Sequence, residues 1–411
     1  MKKPWDVIVV GGGPAGMMCA GKAGARGLNV LLLEQNPILG KKLRITGGGR
    51  CNITNATFDH RKLLANYVEA APFLFSTFAK HDVKDTLDFF SKLGLDTKTE
   101  AENRVFPVSE RAEDVALILE KYLKENKVTC QTDVRVLSFI KKDNLITEIK
   151  TSAGDFSAKT FVIATGGTSR PETGATGDGY KWLRQLGHEV ITPTPSLVPI
   201  TLKEVWVEKM AGRTLPETTF SIWGDNQLIK KCRGKILFTH NGLSGPGILN
   251  ASQIIGEALT QGEVVLKMNL TPTFTEEKLN QHLSALLVSE TNRKIKNVIA
   301  TLIPTTLTPI LLNLANIEED RKCNSITRSE RHTLISLLRA LPVTVNHLLG
   351  PEKAIIASGG VALTEIDFKN MRSKIYTNLY IIGDMLNIVR PSGGYSLQLC
   401  WTTGAVAGDN V

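Results

Sequence analysis

Three glycines and one acidic residue near the start of the chain have the spacing of a nucleotide-binding site. Gly11, Gly13 and Gly16 form the pattern G-x-G-x-x-G, and Glu34 follows them. In such a pattern the glycines let backbone approach a pyrophosphate, a helix N-terminus supplies N–H groups, and the acid accepts from ribose hydroxyls. The pattern predicts a dinucleotide site; the alternative is an ordinary strand–helix turn without a ligand.

Predicted strands and a predicted helix lie on either side of these residues and would position them. Residues 7–10 are apolar and β-branched, which predicts a buried parallel strand. Pro14 suits the first turn of a helix, which is expected to run to about Arg26 and to stop at Gly27. Residues 28–33 predict a second buried strand that ends at Glu34, so the four residues fall at the ligand-binding edge of a βαβ unit.

A second glycine-rich stretch begins with a cation and contains several small polar residues. Lys42 precedes residues 46–52, TGGGRCN, which suit neither a strand nor a helix. Backbone N–H groups and charges in such a loop can surround a diphosphate or a ring system. We expect a ligand-binding loop, and the alternative is a flexible surface loop.

Composition limits the class of protein. The chain has 411 residues and a formal charge of +9, but its basic residues are spread along the sequence without a long Lys/Arg block. This distribution favours an enzyme with an anionic cofactor or substrate, and no nucleic-acid partner is expected. The six cysteines are scattered without metal-ligand spacing, which predicts free thiols, no metal and a cytoplasmic setting. Met1 to Pro4 leave no room for a signal peptide before the first predicted strand, and no membrane span is expected.

The order of predicted elements indicates an α/β fold in which one domain is split by an insertion. Apolar strands and helices alternate over residues 1–191, and this pattern returns in residues 354–411. Short alternating segments in 192–274 and 342–353 predict a β-rich, barrel-like domain. Residues 275–341 have helical periodicity and are interpreted as a helical insert in that domain. In finer detail, residues 61–90 are expected to be helical, and residues 359–361 are expected to form a turn.

Two later strands are expected to bring further residues to the same edge of the sheet. One ends in Ala164, Thr165 and Gly166, and the other closes on Gly383 and Asp384. The carboxyl edge of an open α/β sheet is where ligands bind. A last helix is expected to open just after Gly394 and to point its N-terminus at that edge.

The sequence resembles FAD enzymes of the glutathione-reductase type and, more narrowly, one bacterial flavoprotein family. That family includes aminoacetone oxidase and BaiN-type reductases of dehydro-bile-acid intermediates. The narrower resemblance lies in TGGGRCNITN at residues 46–55, LFTHNGLSGP at 237–246 and GGYSLQ at 393–398, and it covers essentially the whole chain. It implies a split Rossmann-type FAD-binding domain, an inserted β-barrel-like domain that carries a helical insert, and FAD-dependent oxidoreductase activity.

The resemblance also implies which residues hold FAD. Glycines 11, 13 and 16 with Glu34 would hold the ADP half, Val136 would meet adenine through its backbone, and Asp384 would contact the ribityl chain or phosphate. The complete implied set is Gly11, Gly13, Pro14, Ala15, Gly16, Glu34, Gln35, Lys42, Thr46, Gly47, Gly48, Arg50, Cys51, Asn52, Val136, Ala164, Thr165, Gly166, Gly383, Asp384, Gly394, Tyr395, Ser396 and Leu397.

Four positions near the expected flavin ring depart from the family. Asp384 stands where Glu is usual, Asn387 where Asp is common, Arg390 where Gly is common, and Ser396 where Asn is usual. Arg390 either presents a cation to an anionic substrate or covers a solvent-facing surface. These departures bear on the substrate and leave the prediction of FAD intact.

No single acid or base is assigned, and four residues are candidates: His240, Cys51, Arg390 and Tyr395. His240 has an alternative role as a structural histidine in a turn. Cys51 follows Arg50, which could lower the pKa of its thiol, although packing of a small residue against the flavin is the favoured interpretation.

The flavin can be reduced in two ways. No second G-x-G-x-x-G follows a strand, so NAD(P)H is expected to visit only transiently, or else the substrate itself reduces the flavin and oxygen reoxidises it. The first function hypothesis is therefore reduction of a conjugated C=C or oxidation of an amine, on a small or mid-sized organic substrate. The alternatives are a flavoprotein acting with RNA or tRNA, which a basic cluster in the helical insert would favour, and a flavin-binding protein without turnover.

Overall fold

The computed structural model describes residues 5–350 and 352–411, which divide into two compact units. The first unit comprises residues 5–196 and 352–411, and the second comprises residues 197–350. The stretch Met1 to Pro4, for which no signal peptide was predicted, lies outside the described residues. Among the described helices, none is both long enough and apolar enough to cross a membrane.

The first part of the first unit begins with the predicted βαβ unit. β1 (Trp5–Val10) and β2 (Val30–Leu33) pair in parallel on either side of α1 (Pro14–Ala25), and both strands are buried as their apolar runs predict. The remaining elements up to Ser196 are β3 (Thr54–Asn55), α2 (His60–Leu64), α3 (Ala71–Phe78), α4 (Val83–Lys92), β4 (Thr97–Thr99), β5 (Arg104–Pro107), α5 (Ala112–Glu125), β6 (Thr129–Gln131), β7 (Val136–Lys142), β8 (Leu145–Thr151), β9 (Gly154–Ile163), α6 (Asp178–Gln185) and β10 (Val190–Ser196).

Residues 61–90, which were predicted to be helical, form separate helices and no single continuous one. Val68 has φ of +46°, a conformation that no α-helix accommodates, and it separates α2 from α3. A capping box then starts α4: Asp82 accepts from the Asp85 N–H, and the Asp85 carboxylate accepts from the Asp82 N–H. The apolar periodicity of the stretch is real, but these local features divide it.

The second unit is a closed antiparallel barrel with a helical insert. Its strands follow the order β11 (Ile200–Leu202), β14 (Gly242–Ser244), β13 (Gln227–Thr239), β12 (Thr214–Gly224), β15 (Val264–Asn269) and β16 (Leu341–Leu348). Its helices are α7 (Pro246–Leu259), α8 (Glu276–Ser289), α9 (Ile295–Ile299), α10 (Thr308–Leu314) and α11 (Arg328–Arg339). The last four lie between β15 and β16 in the chain and share a hydrophobic core with the barrel.

The chain then returns to the first unit. β17 (Ile356–Val361), β18 (Ile366–Asp367), β19 (Arg372–Ser373), β20 (Leu379–Ile381) and α12 (Tyr395–Gly408) complete it. The main sheet has the order β18-β19-β20-β9-β1-β2-β6, in which β20, β9, β1, β2 and β6 run parallel. Their carboxyl ends therefore lie along one edge, beside the start of α1.

Two predictions, one about β17 and one about its partner strand β10, are wrong. Residues 359–361 are not a turn, because Gly359 and Gly360 continue β17 with φ of +95° and +128°. A Cβ on Gly360 would lie 2.6 Å from the carbonyl oxygen of Met385, so the strand passes too close for any side chain there. β10, most of which was predicted to belong to the β-rich domain from residue 192, pairs instead with β17 inside the first unit.

Candidate active site

A deep cleft opens in the first unit where β1, β9 and β20 end and where α1 and α12 begin. It encloses about 1200 Å³ of space, including its open mouth. Sixteen of the residues implied by the family resemblance line it: Gly11, Gly13, Pro14, Ala15, Glu34, Gln35, Lys42, Thr46, Val136, Ala164, Thr165, Gly166, Gly383, Asp384, Ser396 and Leu397.

The three glycines of the first motif have two different roles. A Cβ on Gly11 would lie 2.5 Å from the Ala164 carbonyl oxygen, and one on Gly16 would lie 1.9 Å from the Gly11 carbonyl oxygen. These two glycines therefore allow the close packing of α1 and β9 around the end of β1. A Cβ on Gly13 would meet nothing within 4 Å, since Gly13 faces the cleft. Gly13 is thus the position where a ligand can approach the backbone at the start of α1.

Glu34 is fixed at the end of β2 by three N–H donors. Its Oε2 accepts from the Gly12 N–H at 2.8 Å, and its Oε1 accepts from the backbone and side-chain nitrogens of Asn36 at 2.8 and 2.7 Å. An ionised carboxylate offers about four acceptor sites, so one remains for a ribose hydroxyl. Gly12 and Asn36, which both line the cleft, hold Glu34 in position and were not predicted from the sequence.

A cluster of three charges, of which only Arg390 is buried, lies at the wall of the cleft. The Arg390 guanidinium pairs with Oδ1 of Asp384, and the Lys42 Nζ lies 3.7 Å from Oδ2 of the same carboxylate. Burial alone raises the pKa of Asp384, but Arg390 and Lys42 outweigh it and hold that pKa below its usual value. Burial lowers the pKa of Lys42, and Asp384 offsets only part of this effect. Lys42 also donates to Ser169 Oγ at 2.7 Å, so its ammonium is held between two partners at the cleft wall.

Both roles considered for Arg390 are wrong. Only 3% of the residue is exposed, so it neither covers a solvent-facing surface nor offers its charge to a substrate. Its other N–H groups donate to the Ile388 carbonyl at 2.6 Å and to Ser396 Oγ at 3.0 Å. Arg390 is therefore an internal counter-charge that holds Asp384 and the first turn of α12 together.

The glycine-rich loop contributes less lining than the sequence suggested. Only Thr46 of residues 46–52 lines the cleft, while Arg50 pairs with Glu100 at 2.5 Å and Glu110 at 3.1 Å. The lowered pKa considered for the Cys51 thiol is wrong, because burial raises it to about 12. Cys51 is therefore a neutral, packed thiol. Gly47, Gly48 and Asn52 do not line the cleft, and both glycines are exposed.

The start of α12 is anchored by close backbone contact and by the buried side chain of Gln398, which accepts from the Thr54 hydroxyl at 2.6 Å. Gly394 caps the helix, and a Cβ on it would lie 2.3 Å from the backbone of Thr54. Ser396, Leu397 and Cys400 present the first turn to the cleft. Tyr395 lies outside the lining, with its carbonyl accepting from the Tyr67 hydroxyl at 2.9 Å.

His240 belongs to the second unit. It is exposed in the turn between β13 and β14.

Several lining residues carried no sequence signal. Gly174, Ala175 and Thr176 reach the cleft from the loop before α6, and Cys400 lies one turn into α12. Their place depends on how distant segments pack. Only the predicted helical start at α12 could have identified Cys400, because positions 397 and 400 share a helix face.

FAD fits this cleft. The site offers a glycine open to a ligand at a helix N-terminus, a carboxylate with one free acceptor site, and two positive charges around an ionised Asp384. Gly13 and the start of α1 would hold the diphosphate, Glu34 the adenosine ribose, and Lys42 with Asp384 the middle of the cofactor. When bound, FAD supplies the hydride chemistry.

Comparisons with known proteins agree. The chain matches the HI0933-like protein Rossmann domain over residues 5–410. It is 30% identical over 407 residues to a ribosomal RNA dihydrouridine synthase from Escherichia coli K12, covering 97% of this chain and 96% of the relative. It is 28% identical to a 3-dehydro-bile acid delta(4,6)-reductase from Clostridium scindens, covering 97% of each. A solved 3-ketosteroid Δ1-dehydrogenase from Sterolibacterium denitrificans superposes with a TM-score of 0.55 at 13% identity, covering 99% of both chains, and shares the fold.

Fold, cleft and relatives together define an FAD-dependent oxidoreductase. The chain belongs to the HI0933-like family.

Proposed function

We propose that this enzyme reduces a C=C bond conjugated with a carbonyl group, using electrons that NAD(P)H delivers through FAD. One observation carries the proposal: relatives aligned over at least 96% of their length are named for two such reductions. A 3-dehydro-bile acid with Δ4 and Δ6 bonds has its double bonds conjugated with the 3-oxo group. Dihydrouridine is uridine whose C5=C6 bond, conjugated with the C4 carbonyl, has been saturated.

The residues of the cleft suit this reaction. The first turn of α12 directs its N–H groups and positive dipole end at the cleft, where negative charge on a reduced ring system would be stabilised. Lys42 and the Asp384–Arg390 pair fix the polar middle of the site. Val10, Leu33 and Trp182 add apolar surface to the cleft, which disfavours water beside them.

The source of electrons is the step that separates this proposal from its alternative. Oxidation of an amine with oxygen would need no nicotinamide, whereas reduction of a C=C needs an external reductant. The sequence has no second G-x-G-x-x-G, so under this proposal the nicotinamide binds only transiently and without a domain of its own.

The test follows the flavin absorbance between about 350 and 500 nm under anaerobic conditions. We expect NADH or NADPH to bleach the spectrum, and a 4-en-3-one steroid or a uridine-containing RNA to restore it with saturation of one double bond in the acceptor. If neither nucleotide changes the flavin absorbance, but an amine bleaches it and air restores it, the proposal is overturned in favour of an amine oxidase.

A uridine in RNA is the second candidate substrate, beside a small enone. The relative named for ribosomal RNA is 30% identical to this chain, and a cationic face of the second unit, described next, favours it. The two substrates share the same bond chemistry and differ in what binds outside the cleft.

A further inference from the structure

The outer face of three barrel strands in the second unit carries a regular set of cations. Lys231, Arg233 and Lys235 alternate along β13, and all three are exposed. Alternate strand residues point to the same side, and the three cover about 13 Å at roughly 3.3 Å per residue. On the opposite side of β13, Gly234 packs against α7, since a Cβ there would lie 2.8 Å from the Gly247 Cα. The cations therefore point away from the core.

The pairing register extends this face across β12 and β15. Lys231 lies opposite Ser221, which lies opposite Lys267 on β15. Arg233 lies opposite Thr219, which lies opposite Asn269. Both rows contain cations and neutral hydrogen-bonding side chains, without an acidic residue.

The positive charge of this face is largely uncompensated. Within residues 5–350 and 352–411, Lys231 and Lys235 form no ion pair. Arg233 pairs with Glu217 at 2.9 Å, but both side chains are more than half exposed, so the pair is weak and easily displaced. Lys267 lies 3.9 Å from the ring centroid of Trp223, which holds its ammonium at the surface.

In the helical insert several cations do have carboxylate partners. This is the region where a basic cluster would have favoured a role with RNA. Lys294 and Lys296 share Asp320 at 3.1 and 2.7 Å, and Arg321 pairs with Glu330 at 2.5 Å. Each of these three cations already has a carboxylate partner, which Lys294 and Lys296 share. The barrel face, by contrast, retains positive charge for a partner.

We propose that this face, formed by Lys231, Arg233, Lys235 and Lys267 with Ser221 and Thr219, binds the phosphate backbone of RNA. The inference rests on the proposed function, because the RNA would carry the uridine that the enzyme reduces. Regularly spaced cations release counterions from a polyanion, and neighbouring hydroxyls donate to phosphate oxygens. Contacts of this kind position an RNA without reading its sequence.

The experiment uses the full-length, FAD-loaded protein and a fluorescein-labelled 30-nucleotide RNA hairpin with a uridine-rich loop. Its dissociation constant is measured by anisotropy between about 50 and 300 mM KCl. The variant is Lys231→Gln/Arg233→Gln/Lys235→Gln. The matched control is Lys84→Gln/Lys92→Gln/Lys121→Gln, which removes three exposed charges from the first unit.

We expect the barrel variant to bind at least roughly tenfold more weakly than the wild type at 100 mM KCl. Its log–log salt slope should fall by about 2 to 3, because each lost phosphate contact removes about 0.7 to 0.9. The control should keep the wild-type slope. Equal losses in the two variants, no salt-dependent RNA binding by the wild type, or equally tight binding of poly-glutamate would each overturn the proposal.

A second measurement separates this inference from the proposed function. Flavin content and NADPH-driven reduction of a small enone should be unchanged in the barrel variant, which also shows that it is folded. If the triple variant fails to fold, Lys231→Gln and Lys267→Gln are measured singly, each with an expected slope loss near 1. Enone reduction without RNA binding would overturn only the inference that this face binds RNA. RNA binding through this face without any C=C reduction would overturn only the proposed function.

Discussion

Thr54 donates a 2.6 Å hydrogen bond to the side-chain carbonyl of Gln398, 344 residues further along the chain. The Gln398 amide nitrogen donates in turn to Thr86 Oγ1 at 2.9 Å, to Thr402 Oγ1 at 2.9 Å and to the Asp82 carbonyl at 3.1 Å. Gln398 is fully buried in the first turns of α12. A single amide therefore ties the helix that faces the cleft to β3 and to the start of α4.

Replacing this amide should loosen the start of α12. We expect Gln398→Leu to lower the free energy of unfolding by about 2–4 kcal/mol, because it leaves Thr54 and other buried polar groups without partners. The same variant should release FAD at a lower temperature, measured as the rise in flavin fluorescence on heating. Gln185→Leu, at an exposed position of α6, is the control and should shift stability by less than about 0.5 kcal/mol. Equal melting of the two variants would contradict the anchoring role.

His81, whose carbonyl accepts from Thr402 at 2.9 Å, should make this region acid-sensitive. Burial lowers the pKa of His81 from 6.5 to about 4, so the folded state binds fewer protons than the unfolded state between these values. Stability is therefore present above the unfolded pKa and is lost as the pH falls toward 4. Between pH 7 and pH 5 the loss should be about 2 kcal/mol.

The His81→Gln variant checks this, since glutamine does not titrate. Its unfolding free energy, followed by denaturant titration at each pH, should fall less steeply from pH 7 to pH 5 than that of the wild type. The exposed His332→Gln in the second unit should keep the wild-type profile. A profile for His81→Gln that parallels the wild type would exclude His81 as the source.

Adding a methyl group should affect FAD binding at Gly13 and protein stability at Gly16. Gly13→Ala adds a Cβ with nothing within 4 Å, so the protein without FAD should keep its melting temperature. The methyl group stands in the cleft, however, and FAD should bind at least tenfold more weakly by titration of flavin fluorescence. Gly16→Ala places a Cβ 1.9 Å from the Gly11 carbonyl oxygen and should destabilise the protein even before FAD is added. Wild-type FAD affinity in Gly13→Ala would show that the diphosphate does not approach this glycine.

The cofactor side of the fold was predictable because its signals are local. Gly11, Gly13, Gly16 and Glu34 lie within one βαβ unit, where strand, turn and helix each leave a mark in the sequence. The barrel and its helical insert were also predictable in kind, since alternation with period two changes to helical periodicity near residue 275. Such patterns determine element types and leave their ends and breaks open. Val68 interrupts a helical stretch, and Gly360 continues a strand where only a glycine fits against Met385.

The charges of the site were less predictable, because burial is a property of packing. Arg390 is one of many arginines in the sequence, and only the folded chain shows that it is enclosed against Asp384. The pKa of Cys51 likewise depends on enclosure more than on its neighbour Arg50, whose charge is engaged by Glu100 and Glu110. A cation beside a thiol in sequence is therefore not evidence of a cation beside it in space.

The Asp384–Arg390 pair leads to a last prediction. We expect Arg390→Met to cost roughly 3 kcal/mol of stability at pH 7, because it leaves the Asp384 carboxylate largely enclosed without its main counter-charge. Asp384→Asn/Arg390→Met should lose less than the sum of the two single variants in a double-mutant cycle of unfolding free energies.

The dependence of the unfolding free energy on pH should also differ between Arg390→Met and the wild type. In the wild type the lowered pKa of Asp384 contributes stability above its unfolded value near 3.9, which is lost as the pH falls through the folded pKa. In Arg390→Met the lowering effect of Arg390 is lost, so the pKa of Asp384 should rise and the stability gap between variant and wild type should narrow from pH 7 to pH 4. A gap that stays constant with pH, together with additive variants, would mean that Arg390 supports the fold through its bonds to Ile388 and Ser396 and not through its charge on Asp384.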